Sequence, residues 1–450
     1  MSSSRHIAVL AFPFGSHAGP LLSLVRQIAK AVPDVIFSFM TTARSSGIIF
    51  SQDYNGGPHN IKPYNVDDGL PDGYVPSGNP VEPVELFVKA APENFTKAVE
   101  KVEAETGLKI GCLISDAFFW FAGDMAEKMT VPWVALWTAA PRSVLVHVDT
   151  DAIRQALQAT NESGKEDQKL DFLPEFSAFQ KSDLPEGVDV VGRPESPFED
   201  LLHKMGNKLP QANAVAINSF KELDPEIGKQ LNARLKKFLN VGPFTLTSPS
   251  SIKPDEHGCL EWLNKHEPNS VVYVSFGSVI TPPPHEISAL ADALEESEFP
   301  FLWSFRGNVE EFLPKGFIEK TSGKGKLVPW APQVQVLEHE SVGAFLTHCG
   351  WNSISESMRG GVPMICRPFF GDQKLNMRTV EAVWGIGVGV EGGVITKNGA
   401  IKAMQQIFLG EGKKMRERLG VLKKLALEAV QPNGSTTRDF STLVEIINQL

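Results

Sequence analysis

Cysteine is scarce and unpatterned in this chain. Cys112, Cys259, Cys349 and Cys366 lie far apart with no Cys-x-x-Cys spacing, so neither a zinc site nor a disulfide framework is indicated, and reduced thiols in a cytoplasmic protein are expected. An excess of positive charge is also lacking. With 43 basic and 53 acidic side chains the net charge is −10, which disfavours nucleic acid or an anionic membrane as a partner. Long hydrophobic runs are missing as well, because Gly, Pro or a charge breaks each one well short of the roughly 20 residues that span a bilayer. The early run from Ile7 to Phe14 is interrupted by Pro13 and closed by Ser16 and His17 without a small-residue cleavage site, so no secretory leader is expected. No heptad seam is present, and a monomer is the plain expectation.

What is present is enough apolar material, 42% of 450 residues, for two packed cores of roughly 200 residues each. Apolar, β-branched runs alternate with amphipathic helical stretches, the pattern of α/β domains with parallel sheets and crossover helices. In the first half the candidate strands are His6–Phe12, Val35–Thr41, Cys112–Asp116, Trp133–Trp137 and Ala214–Asn218. In the second they are Val271–Phe276, Phe301–Phe305, Val342–Thr347, Pro363–Cys366 and Gly385–Val390. Two doubly wound, Rossmann-like domains follow, with ligands expected at the carboxyl ends of the strands. The Pro- and Ser-rich segment Gly242–Gly258 reads as the linker between a first domain, 1–241, and a second, 259–434, and the polar stretch Ala159–Lys169 as a solvated loop.

The densest cluster of polar residues is Trp330 to Gln373, WAPQVQVLEHESVGAFLTHCGWNSISESMRGGVPMICRPFFGDQ. Its centre reads as a strand, a turn and a helix start. The first amides of a helix have no intrahelical acceptor and lie at the partly positive dipole end, so a diphosphate can settle there. Gly350 lets the backbone approach, His348 can donate to a phosphate oxygen, and Trp351, Asn352 and Ser353 open the helix with further donors. Glu356, one turn on, is an acceptor suited to ribose hydroxyls. Trp330 offers a flat face for a base, steadied by the loop Ala331-Pro332-Gln333, and Asp372 with Gln373 can grip neighbouring hydroxyls of a hexose. Together these groups suit a nucleotide-sugar.

The same 44-residue stretch closely resembles the signature box of plant secondary-product glycosyltransferases, which move sugars from uridine diphosphate donors to small natural products. That resemblance implies the GT-B arrangement, two Rossmann-like domains facing across a cleft, with the last segment, 435–450, returning to the first domain. It implies UDP-glucose as co-substrate, with Gln373 favouring glucose over galactose. Ser278, in Ser275-Phe276-Gly277-Ser278, is a candidate phosphate contact, and Thr138, after Trp137, a candidate contact to the sugar. The wider chain, including Ala11-Phe12-Pro13-Phe14, Asp68-Gly69-Leu70-Pro71, Asp116-Ala117-Phe118 and Thr281-Pro282-Pro283-Pro284, resembles the flavonoid 3-O-glucosyltransferases. Flavonols and anthocyanidins are therefore the expected acceptors.

Catalysis is expected from the first domain. His17 falls in the loop after the first strand, where an imidazole suits general-base work near physiological pH. Asp116 ends an apolar run, where a buried carboxylate needs a partner; it can accept from the imidazole Nδ1 or cap the following helix. Both match the family's catalytic pair within their local motifs, which implies inverting displacement without a metal or other cofactor. Asp149-Thr150-Asp151 spells a metal-binding DxD, but such tripeptides are common and this one opens a helix-like segment where acids suit the dipole. Phe14, Phe118, His147, Phe198 and Phe370 are the candidate walls for a flat polyphenol. Two departures affect the acceptor: Val81 stands where some relatives carry a polar group, and Arg142 either meets an acceptor oxygen or points to solvent.

Overall fold

Runs without polar alternation become strands buried on both faces, and their parallel pairing follows. The computed structural model describes residues 5–50, 58–71, 73–75, 81–159, 168–248 and 253–448. They form two compact units. The first contains Met1–Ser163, Gly187–Ser248 and Glu428–Leu450, the second Gly164–Glu186 and Pro249–Leu427. The solvated loop and the centre of the linker expected from the sequence fall largely outside the described residues, at 160–167 and 249–252.

In the first unit β1 (Arg5–Leu10), β2 (Val35–Thr42), β3 (Ile61–Val66), β4 (Ile110–Asp116), β5 (Trp133–Trp137), β6 (Ala214–Ile217) and β7 (Phe238–Asn240) make one parallel sheet. Its order is β3-β2-β1-β4-β5-β6-β7. The helix Ala18–Ala31 buries Leu21, Leu22, Val25, Ile28 and Ala29, a stripe at helical spacing. The final helix, Ser435–Asn448, lies beside β7 and sends Leu443, Ile446 and Ile447 into the same core. Burying each such side chain contributes roughly 1.5–3 kcal/mol before ordering entropy is subtracted. Polar ties seat it further: Asp439 Oδ2 accepts from the Asn240 amide at 2.8 Å, and Thr436 Oγ1 donates to the Gly242 carbonyl at 2.6 Å.

The second unit repeats the plan with β8 (Val271–Ser275), β9 (Phe301–Ser304), β10 (Gly325–Val328), β11 (Val342–Thr347), β12 (Met364–Cys366) and β13 (Gly387–Gly389). The order is β10-β9-β8-β11-β12-β13. Each sheet therefore reverses direction once, between β1 and β4 in the first and between β8 and β11 in the second, and those reversals open crevices at the carboxyl ends of the strands. The segment Gly164–Glu186, which chain order puts inside the first domain, goes with the second unit. Asp183 there meets Arg378 at 3.3 Å, and Glu186 accepts from the Gly371 amide at 2.6 Å.

Three strands escape the sequence pattern, β3, β7 and β10, and all are sheet edges. β3 and β10 are partly solvated and need not be uniformly apolar, β3 even carrying Pro63, while β7 is buried but only three residues long. Among the described residues no helix is long and apolar enough to cross a membrane.

Candidate active site

The reversal between β1 and β4 brings His17 and Asp116 together. His17 follows β1 and precedes the helix Ala18–Ala31, while Asp116 is the last residue of β4. His17 Nδ1 and Asp116 Oδ2 are 2.8 Å apart, with the carboxylate side chain 1% exposed and the imidazole 21%. Asp116 does not cap a helix, since the next one begins at Phe121; its other oxygen accepts from the Phe118 amide at 2.9 Å and closes the turn after β4. Thr138 Oγ1 lies 3.0 Å from the same Nδ1. With the Nδ1 proton directed to Asp116, Thr138 shares that proton as an acceptor, and the His17 lone pair is on Nε2. Phe12 and Phe118 flank the imidazole, with ring centroids at 5.1 and 4.6 Å.

The reversal between β8 and β11 assembles the second cluster. Gly350 caps the helix Trp351–Gly360 with ordinary extended angles, yet a Cβ there would stand 2.4 Å from His348 Nε2. Across the imidazole, a Cβ on Gly277, whose φ is +73°, would meet His348 Cε1 at 2.7 Å. The ring is thus held between two glycines that follow different strands. Burial, reinforced by the Arg306 charge, lowers the His348 pKa to about 4, so the ring is neutral at pH 7 and can donate a hydrogen bond but not a positive charge. Its Nδ1 has no partner among the described residues.

Gln333 ties the loop after Trp330 to the helix: its Nε2 donates to Ser353 Oγ at 3.1 Å and Glu356 Oε2 at 2.7 Å, and its Oε1 accepts from the Tyr273 hydroxyl at 3.2 Å. Burial pushes the Glu356 carboxyl upward, opposed first by that Gln333 bond. Trp330 is 37% exposed with the Lys253 ammonium 5.3 Å from its ring centre, whereas Ala331 is buried behind it. Gln373 Oε1 accepts from the amides of Phe369 and Phe370 at 2.8 and 3.3 Å. Asn376 was not foreseen. Its Nδ2 donates to the Cys349 carbonyl at 3.0 Å and to Asp372 Oδ2 at 2.9 Å, joining the turn after β11 to the loop before Gln373. Its position four residues after Asp372 on one helix face was the available signal.

The model for the family described as UDP-glucoronosyl and UDP-glucosyl transferase matches residues 82–425. The chain belongs to this family. This UDP-glycosyltransferase is 55% identical to a flavonoid 3-O-glucosyltransferase of Medicago truncatula, over 98% of its own length and 96% of that protein's. It is 51% identical to an anthocyanidin 3-O-glucosyltransferase of Vitis vinifera, covering 100% and 98% of the two chains. At the same 51% stands an anthocyanidin 3-O-galactosyltransferase of Actinidia chinensis var. chinensis, covering 99% and 98%. The crystal structure of a UDP-glucose: anthocyanidin 3-O-glucosyltransferase in complex with UDP superposes with a TM-score of 0.94 at 42% identity, over the whole of both chains. The fold is therefore GT-B.

Within the UDP-glycosyltransferase the remaining candidates divide. Phe14 and Phe118 join the aromatic group around Phe12, and Phe198, on the helix Pro197–Lys208, reaches Phe118 at 6.5 Å. Val81 is 38% exposed at the start of the helix Glu82–Thr106, and Phe370 is 41% exposed in the second unit. His147 is buried against Trp137 at 5.5 Å, and that burial lowers its pKa to about 4. Of the two courses left open for it, Arg142 does not point to solvent. It is buried and pairs with Asp224 at 2.9 Å, while burial pushes the Asp224 carboxyl upward against the pull of that arginine. The DxD carboxylates are engaged too, Asp149 with Arg234 at 2.7 Å and Asp151 with His203 at 2.7 Å. Ser278 is exposed, and its carbonyl accepts from Arg306 at 2.6 Å.

Proposed function

We propose that this UDP-glycosyltransferase moves glucose from UDP-glucose to the 3-hydroxyl of a flavonol or anthocyanidin, with inversion at the anomeric carbon and without a metal. The observation that carries the reading is the 2.8 Å pairing of His17 with a buried Asp116 at the first sheet's reversal. Nε2 takes the acceptor proton, the resulting oxygen attacks the anomeric carbon, and the C–O bond to the diphosphate breaks. Asp116 fixes the tautomer and stabilises the imidazolium that forms. The departing UDP is received by His348 and the amides of Trp351, Asn352 and Ser353, with the base on Trp330, the ribose at Glu356 and the hexose at Asp372, Gln373 and Thr138. Phe14, Phe118, Phe198, His147, Val81 and Phe370 are the proposed acceptor contacts, and Ser278 a further phosphate contact.

The metal-free reading is supported by the pairing of both DxD acids with cationic or imidazole partners. The flavonoid reading is supported by relatives of that name at 55% and 51% identity across the chain. A second donor, UDP-galactose, is favoured by the galactosyltransferase at 51% identity.

The deciding experiment is mass-spectrometric detection of product from UDP-glucose with quercetin, kaempferol, cyanidin and a flavonoid lacking the 3-hydroxyl, all in chelator. Product from the first three and none from the last is expected. Absence of product from all four, with UDP-glucose still bound, would overturn the flavonoid acceptor and send the search to other phenols, terpenoids or hormones. Product only after metal is restored would overturn the metal-free step.

A further inference from the structure

The second unit carries a cation that the box from Trp330 to Gln373 does not include. Arg306 stands two residues beyond β9, its NH1 donating to the Ser278 carbonyl at 2.6 Å and its NH2 to the Gly277 carbonyl. Three arginines of this unit meet carboxylates, Arg359 with Glu338, Arg367 with Glu286 and Arg378 with Asp183, whereas Arg416 and Arg418 donate, as Arg306 does, to backbone carbonyls. Among the described residues no acidic side chain acts on Arg306. Its anchor, the Gly277 turn, is the one that closes over the His348 ring. The strands before these groups, β9, β8 and β11, are neighbours in the sheet, so Arg306, Gly277 and His348 share the carboxyl edge at the reversal.

Two of the five guanidinium N–H groups go to the carbonyls, and the others stay available for a planar, multidentate anion. A neutral His348 and helix amides supply hydrogen bonds and partial charge but no full positive charge. We infer that Arg306 contacts the diphosphate of the donor and supplies the full positive charge that balances it as it leaves. This rests on the reading of the second unit as the UDP-sugar site. The opposing account is that Arg306 only braces the turn.

Isothermal titration of uridine and UDP with wild type, Arg306→Gln and Arg306→Lys separates the two. A lost charged hydrogen bond corresponds to about 10–150-fold, so Arg306→Gln is expected to weaken UDP by that factor while uridine changes less than about twofold. Arg306→Lys keeps the charge and is expected to fall between. Equal losses for uridine and UDP, or equal effects of Gln and Lys, would overturn the charge role in favour of the brace. Unchanged UDP affinity in Arg306→Gln would sink the inference alone. A wild-type protein that binds no UDP would sink the donor reading and this inference with it.

Discussion

An imidazole acts as a base only through the nitrogen that is not already engaged, and in His17 the engaged one is Nδ1. Replacing His17 by Ala is expected to leave UDP affinity unchanged and lower transfer by about 10²–10⁴, read by initial rates alongside calorimetry; near-normal turnover would remove His17 from the base role. Asp116→Asn is expected to fall in the same range although the fold persists, because an amide can donate to Nδ1 and turn the lone pair away from the acceptor. The pairing of the two was legible in the sequence, Asp116 as an acid at the tip of an apolar run, where burial demands a partner, and His17 as an imidazole in the loop after the first strand. Arg142 was not. Its partner Asp224 is distant in sequence and the pairing follows only from how the helices around them pack.

At the scale of elements, the turns after β8 and β11 are shaped by one imidazole. Gly350 has φ of −66°, which any residue adopts, so the ring and not the backbone forbids a side chain there. Gly350→Ala is expected to weaken UDP binding about tenfold or more by displacing His348 from the phosphate, while the thermal midpoint moves little; unaltered affinity would mean the ring has another place to go. Central strands and the helices between them could be read from apolar runs, because parallel strands covered on both faces have little choice of residue. β3 and β10 could not, since edges tolerate Lys, Pro and Asn, nor could β7, which is only three residues long. In the box from Trp330 to Gln373 nearly every group falls on one strand-turn-helix, which is why local sequence exposes it, whereas the bonds of Asn376 to Cys349 and of Arg306 to Ser278 join segments distant in sequence.

For the whole molecule, buried neutral histidine links stability to acid. His147 has a folded pKa of about 4 against 6.5 for the free side chain, so between those values the unfolded chain binds a proton that the folded chain refuses. Stability from this source is complete above pH 6.5 and is lost as pH falls toward 4, at most on the order of 3 kcal/mol. The drop in thermal midpoint from pH 7 to pH 5 should shrink in His147→Gln; an identical drop would assign the acid sensitivity elsewhere. The chain also passes between its two units at 163/164, 186/187, 248/249 and 427/428. A recombinant that exchanges halves at the Pro- and Ser-rich segment would inherit Glu186, which accepts from the Gly371 amide, from the parent that supplies the other half. A crossover that moves the signature box alone thus carries the loop at Gly371 away from the carboxylate that braces it in this chain.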